Sequence, residues 1–299
     1  MQLFKIYPNL TVIIASFFWG TYWIPLRFLN ENSNNSIWPI FLSFLILSFF
    51  LIKPLLRSIK NIFYYQNYFF ILGCLLASLA IVLYSESLLR GEIAKVVILF
   101  YLCPIWGTIF AKIILNHKFT ISRIISIFFG IIGLGIIIKI DKGVFYPSSI
   151  VELIALAAGV TWALSLTFFS ISKKTSGIEK TSITSFLIPT IYLIVSMIPG
   201  GRDFYISDKL FYFSNTYIWI LLFATVWLLP SILLTYFTVE ILDPGRINIL
   251  LAFEVIVGIF SAAILTIEII GIREILGAFF VISACFIDVF YKKSQTRYP

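Results

Sequence analysis

Ten nearly unbroken apolar stretches follow one another along the chain, at roughly 10–29, 37–56, 67–89, 93–115, 120–139, 149–171, 181–199, 216–241, 245–266 and 271–291. Charges or clusters of Asn, Ser, Pro and Gly separate them. Each is about as long as the ~20 residues an α-helix needs to cross a hydrocarbon core ~30 Å thick. The pattern predicts an all-α integral membrane protein of about ten transmembrane helices joined by short loops. The first stretch runs through Trp19, Tyr22, Trp23 and Phe28 without a small-residue cleavage site, so it is expected to remain as the first helix.

Composition sharpens this picture. Of 299 residues, 60% are hydrophobic and 12% charged, with a mean hydropathy of +1.02. That leaves too little polar surface for a water-soluble globule, and no soluble domain fits beside the helices. The net charge of +8 comes from Lys and Arg scattered singly or in pairs at the ends of apolar runs. No basic block exists that would grip nucleic acid. Placing the N-terminus in the cytoplasm and alternating sides puts 14 of the 22 basic residues inside, which favours cytoplasmic termini. Cys74, Cys103 and Cys285 lie far apart within apolar runs and read as small buried side chains.

Internal repetition organises the chain further. An offset of 151 residues lays Glu92 and Lys95 on Asp243 and Arg246, and Gly107 on Gly258. The same offset lays His117 on Glu268, and Phe128 and Phe129 on Phe279 and Phe280. Two halves follow, 1–145 and 146–299, with five spans each. Because five is odd, the second half enters the membrane inverted, an arrangement found in transporters.

Several segments carry a family resemblance. They are ASFFWGTYWIPLRF at 15–28, LCPIWGTIFAKIILNHKFTISRIISIFFGIIGLGIII at 102–138, LAAGVTWALSLTFFSISKK at 156–174 and LDPGRINILLAFEVIVGIFSAAILTIEIIGIREILGAFFVISA at 242–284. With these the chain resembles the EamA-like permeases of the drug/metabolite transporter superfamily over nearly its whole length. The resemblance implies two inverted five-helix repeats around a central cavity. The first four helices of each half would line it, and helices five and ten would stand at the periphery. It also implies a carrier in a cytoplasmic (bacterial inner) membrane, among relatives that export amino acids and other metabolites or import them. Two departures stand out. His117 replaces the acidic residue usual before the last helix of a half, and Glu254-Val255 stands where the ninth helix commonly has Pro.

Glu254 is the sharpest chemical signal. A carboxylate midway along the ninth run costs a few kcal/mol unless it faces a cavity or a partner. Gly258 and Ser261 follow on its face, at i+4 and i+7. The preferred reading is a group that binds a substrate cation or a proton; the structural one is a neutral carboxyl bonded to a neighbouring helix. Trp19, Trp23 and Arg27 recur at i, i+4 and i+8 beside Tyr22, a face suited either to stacking and cation-π contacts in a cavity or to an interfacial belt. Trp162 in the matching helix and Tyr101 join the cavity candidates. Glu86 with Arg90, and Glu92 with Lys95, read as ion pairs around a tight turn or as a substrate gate, with Asp243 and Arg246 their counterparts.

Enzymes need a nucleophile with a base, paired aspartates or a metal cluster. The single His117 falls in a predicted turn, and neither HExxH nor two deep aspartates occur. A channel would need a polar pore loop, which the chain lacks. The sequence therefore points to a secondary-active carrier of a small metabolite, amino-acid-like or another zwitterion or cation, with protons as a coupling partner and no cofactor.

Overall fold

Proline and tertiary hydrogen bonds divide the apolar runs into helices. The computed structural model describes residues 7–33, 35–65, 67–116, 121–137, 149–172, 175–197, 214–242, 247, 250–266 and 270–295, all without β-strands. The first run is α1 (Pro8–Gly20) and α2 (Trp23–Glu31), interrupted at Thr21-Tyr22. Pro25 has no N–H to offer the Thr21 carbonyl, which instead accepts from Ile24 N–H at 3.1 Å.

The second run is α3 (Trp38–Phe50) and α4 (Ile52–Tyr65), with a bend of 73° between them. Pro54, one turn past Phe50, removes the hydrogen bond that would have carried the helix straight. The apolar run expected to end near residue 56 therefore turns at Leu51, and α4 carries Lys53, Arg57 and Lys60 away from the span axis. Next come α5 (Tyr68–Arg90), α6 (Ile93–Phe100) and α7 (Cys103–Leu115), the last two parted at Tyr101-Leu102 just before Pro104. Asn116 ends α7 in the left-handed conformation, φ 53°, which Asn tolerates better than most residues. The first half closes with α8 (Ile121–Ile137).

The second half holds α9 (Ile150–Ile171), α10 (Gly177–Ser196), α11 (Ser214–Leu222), a π-helical turn at Phe223–Leu228, α12 (Leu229–Thr238), α13 (Phe253–Leu265) and α14 (Ile272–Gln295). Pro230 follows the π-turn and explains it, since it cannot donate to the Val226 carbonyl. Helices thus occupy all ten apolar runs. Among the described residues, six are long and apolar enough to cross a bilayer, and the bent α3–α4 pair makes a seventh.

Many hydroxyl side chains inside this apolar bundle are satisfied locally. The hydroxyls of Ser16, Ser43, Ser48, Ser78, Ser85 and Thr235 each donate to the carbonyl four residues earlier, as a medium without water requires. The exterior is the reverse of a soluble protein's. Phe17, Phe49, Phe128, Phe260 and Phe279 are all more than half exposed, a surface that only lipid solvates without penalty. The chain is an integral membrane protein.

Packing partners exchange between the halves. The third span, α5, lies along the sixth, α9, while the eighth, α12, lies along the first, α1. The fourth span packs on α9 as the ninth packs on α1, and the fifth, α8, pairs with the tenth, α14. Phe129 and Phe280, equivalent at the 151-residue offset, meet with ring centroids 5.7 Å apart.

Candidate functional site

The site is built where two broken helices face each other. In the fourth span Pro104 forces the break and turns Tyr101 out of the helix. In the ninth no proline is present, yet α13 starts only at Phe253. Val255 N–H donates to the Ala252 carbonyl at 3.0 Å instead of reaching back to Leu251. The Leu251 carbonyl accepts the Tyr101 hydroxyl at 2.5 Å. A hydrogen bond from the fourth span therefore does in the ninth what proline does in the fourth. Tyr101 and Ala252 stand 151 residues apart, the same offset that the sequence repeat shows.

Glu254 sits in the first turn of α13, 2% exposed. Oε1 lies 2.6 Å from the hydroxyl of Tyr84 on α5, and Oε2 lies 2.6 Å from the hydroxyl of Tyr101. The peptide dipoles of α13 favour negative charge at this end. Both carboxyl oxygens are thus engaged, by two helices of the other half of the chain.

Beside this cluster is a cavity lined by Trp19, Tyr84, Phe100, Tyr101, Trp162, Leu251 and Glu254, with Ala80 and Ile81. It contains about 280 Å³ not filled by atoms, but so narrowly shaped that about one water molecule fits. Aromatic rings form most of its wall. Trp19 and Trp162, from the first helix of each half, meet edge to face at 5.9 Å, and Tyr84 packs on Phe100 at 4.4 Å. Two glycines allow the walls to close. A Cβ on Gly20 would lie 2.6 Å from Val257 Cβ and 3.0 Å from the Glu254 carbonyl, and one on Gly159 would lie 2.6 Å from the Phe100 carbonyl.

Of the residues singled out in the sequence, Glu254, Trp19, Tyr101 and Trp162 line this cavity. The others on the first span lie elsewhere. Tyr22 is buried between Tyr84 and Phe223 and hydrogen-bonds Ser85 at 2.8 Å. Trp23 Nε1 donates to Ser261 Oγ at 3.0 Å. Arg27 lies 5.8 Å from the Trp23 ring and donates to the carbonyls of Leu88 and Gly91 at 2.9 and 2.5 Å. These three fasten the first span to the third and ninth. Glu86 pairs with Arg90 at 2.9 Å, and Glu92 with Lys95 at 2.8 Å, at the end of the bundle that Arg27 closes. Asp243 and Arg246 lie outside the described residues, as do His117 and Glu268.

Two participants had no signal in the sequence reading. Tyr84 is one tyrosine of 15, and only its position in an apolar run sets it apart. Lys180 directly precedes the seventh apolar run, yet it is 2% exposed. Its ammonium donates to the Thr175 carbonyl at 3.1 Å and lies 5.7 Å from the Phe169 ring. The Ser176-x-x-Glu179 capping box that starts α10 buries it there. Glu240 accepts from Gly177 N–H and ties that helix start to the end of the eighth span. No group of three or more His, Cys, Asp or Glu among the described residues is placed to hold a metal ion.

Compared with known proteins, residues 7–139 match the EamA-like transporter family. No curated protein matches the sequence. A solved crystal structure aligns over 97% of this chain and 98% of its own, with a TM-score of 0.61 at 10% identity, so the helical architecture recurs in a protein of very different sequence. The first half of the chain, over residues 7–139, is thus similar to the EamA-like transporter family.

Proposed function

We propose that the protein is a secondary-active carrier of a small zwitterionic or cationic metabolite, working by alternating access between two inverted five-helix halves. The observation that carries this reading is a carboxyl group, Glu254, buried beside an aromatic cavity between two helix breaks. A carboxyl group offers a counter-charge to an ammonium group, and the indole and phenol rings around it offer π-faces. The cavity as found is too small for a metabolite, so the substrate enters another arrangement of the helices. Exchanging neighbours, and the contact of Phe129 with its counterpart Phe280, support a two-fold relation between the halves. Helices five and ten, paired with each other, fit the peripheral place the resemblance gives them.

Saturable uptake with counterflow in proteoliposomes tests the carrier. Preloading with unlabelled substrate is expected to accelerate entry of labelled substrate; a linear, unsaturated flux without counterflow would identify a channel.

Orientation follows from the basic residues: His117 and Lys173 belong to the cytoplasmic side of a bacterial inner membrane, with Asp141 and Asp208 opposite. All four lie outside the described residues. With single cysteines at these positions, an impermeant thiol reagent applied to intact cells is expected to label 141 and 208 and spare 117 and 173. Strong labelling at 117 with none at 208 would reverse the assignment.

A further inference from the structure

We propose that Glu254, Tyr101 and the Leu251 carbonyl form a proton-binding site that couples the protonation of Glu254 to the break in the ninth helix. Hydrogen counting carries the inference. Tyr101 Oη lies 2.5 Å from the Leu251 carbonyl and 2.6 Å from Glu254 Oε2, and each separation requires a hydrogen between the oxygens. A phenol has one. The carbonyl has none to give, so if Tyr101 donates to Leu251, the second hydrogen belongs to Glu254. The carboxylic acid donates to Tyr101, Tyr101 donates to Leu251, and Tyr84 donates to Oε1. Every polar atom of the cluster is then satisfied.

The same atoms accommodate the ionised form. Tyr84 and Tyr101 then both donate to the carboxylate. The Leu251 carbonyl loses its partner and must find another, because a bare carbonyl in this apolar interior is costly. The nearest donor along the chain is Val255 N–H, which now serves Ala252. Moving it back to Leu251 restores a regular α-turn. Loss of the proton thereby straightens the ninth helix at the cavity wall, and its return breaks the helix again.

Titratable groups face Glu254 from the third and fourth spans. The third span contributes Tyr84, and the fourth contributes Tyr101 and the buried Cys103; the first and sixth contribute Trp19 and Trp162, which do not titrate. A metal cation does not fit the same oxygens. Ligands sharing an ion of calcium size stand ~2.3–2.6 Å from it and hence ~3 Å or more from one another, whereas these oxygens are in direct hydrogen-bond contact.

Infrared difference spectra of the purified full-length protein across a pH series test the site; the coupling to transport rests additionally on the carrier reading above. A carbonyl stretch of a protonated carboxylic acid is expected at low pH and is lost reversibly as pH rises. Glu254→Gln removes it. Tyr101→Phe, which keeps the carboxyl, shifts it toward the position of a non-bonded acid. Absence of any such band assignable to Glu254, or a band that Tyr101→Phe leaves unmoved, overturns the proposal. The two readings fail separately: counterflow without the band refutes the proton site, and the band without counterflow refutes the carrier.

Discussion

Glu254→Gln is expected to fold, reach the membrane and lose at least about tenfold in transport rate, ~1.4 kcal/mol of driving interaction, together with any pH dependence. The geometry explains why this substitution is mild on structure. A glutamine oxygen accepts from Tyr84 as Oε1 does, its amide donates to Tyr101 as a protonated carboxyl would, and Tyr101 continues to hold the Leu251 carbonyl. Gln therefore fixes the site in its proton-loaded form, with neither a charge to offer a cation nor a proton to release. Glu254→Ala differs. It leaves a void and the buried Tyr84 hydroxyl without its partner, at ~1–3 kcal/mol for the unsatisfied group in addition to the cavity, and the protein is expected to accumulate poorly. A Glu254→Gln protein that transports at the wild-type rate with the wild-type pH profile would show that the carboxyl only holds helices together.

Gly159→Ala is the second large effect expected, although the change is a single methyl group. Its Cβ would lie 2.6 Å from the Phe100 carbonyl oxygen and 3.4 Å from the carbonyl carbon. Backbone cannot rotate aside as a side-chain end can, so the sixth span must move off the fourth. Overpacking of this kind costs ~1–3 kcal/mol. Phe100 immediately precedes Tyr101, so the displacement also pulls the hydroxyl from Glu254. The expected result is a lower thermal unfolding midpoint in detergent together with impaired transport. Gly258→Ala supplies the contrast on the ninth span: its Cβ would meet Val97 side-chain carbons at 3.4 and 3.5 Å and the Gly20 carbonyl oxygen at 3.7 Å, all ordinary contact distances. Equal unfolding midpoints for the two variants would refute the claim that backbone approach at Gly159 limits how closely the walls close.

Much of this was legible without coordinates. Hydropathy alone located ten helical segments because a chain without water has one economical way to satisfy its backbone, and the run of apolar side chains is the record of it. Glu254 stood out for the same reason, as an ionisable group with no cheap place in lipid. Pro25, Pro104 and Pro230, all within apolar runs, marked breaks, since the missing N–H acts within four residues of where it is written; Pro189, read from the sequence in the same way, lies inside the continuous helix α10.

Other features depended on which helices meet. The face Trp19, Trp23 and Arg27 was regular in sequence, but the first span passes from the cavity wall at Trp19 to contacts with the third and ninth spans at Trp23 and Arg27, so periodicity could not say which member faces what. Lys180 carries no mark in the sequence that sets it apart from the other basic residues at the edges of apolar runs, and a folded helix start buried it beside Phe169. The break in the ninth helix has no proline to announce it. It exists because Tyr101, about 150 residues away, captures the Leu251 carbonyl. Sequence determines the hydrogen bonds a residue cannot make, which is a local property. Which distant donor replaces them is settled only when the two halves pack, and at Glu254 that choice made the site.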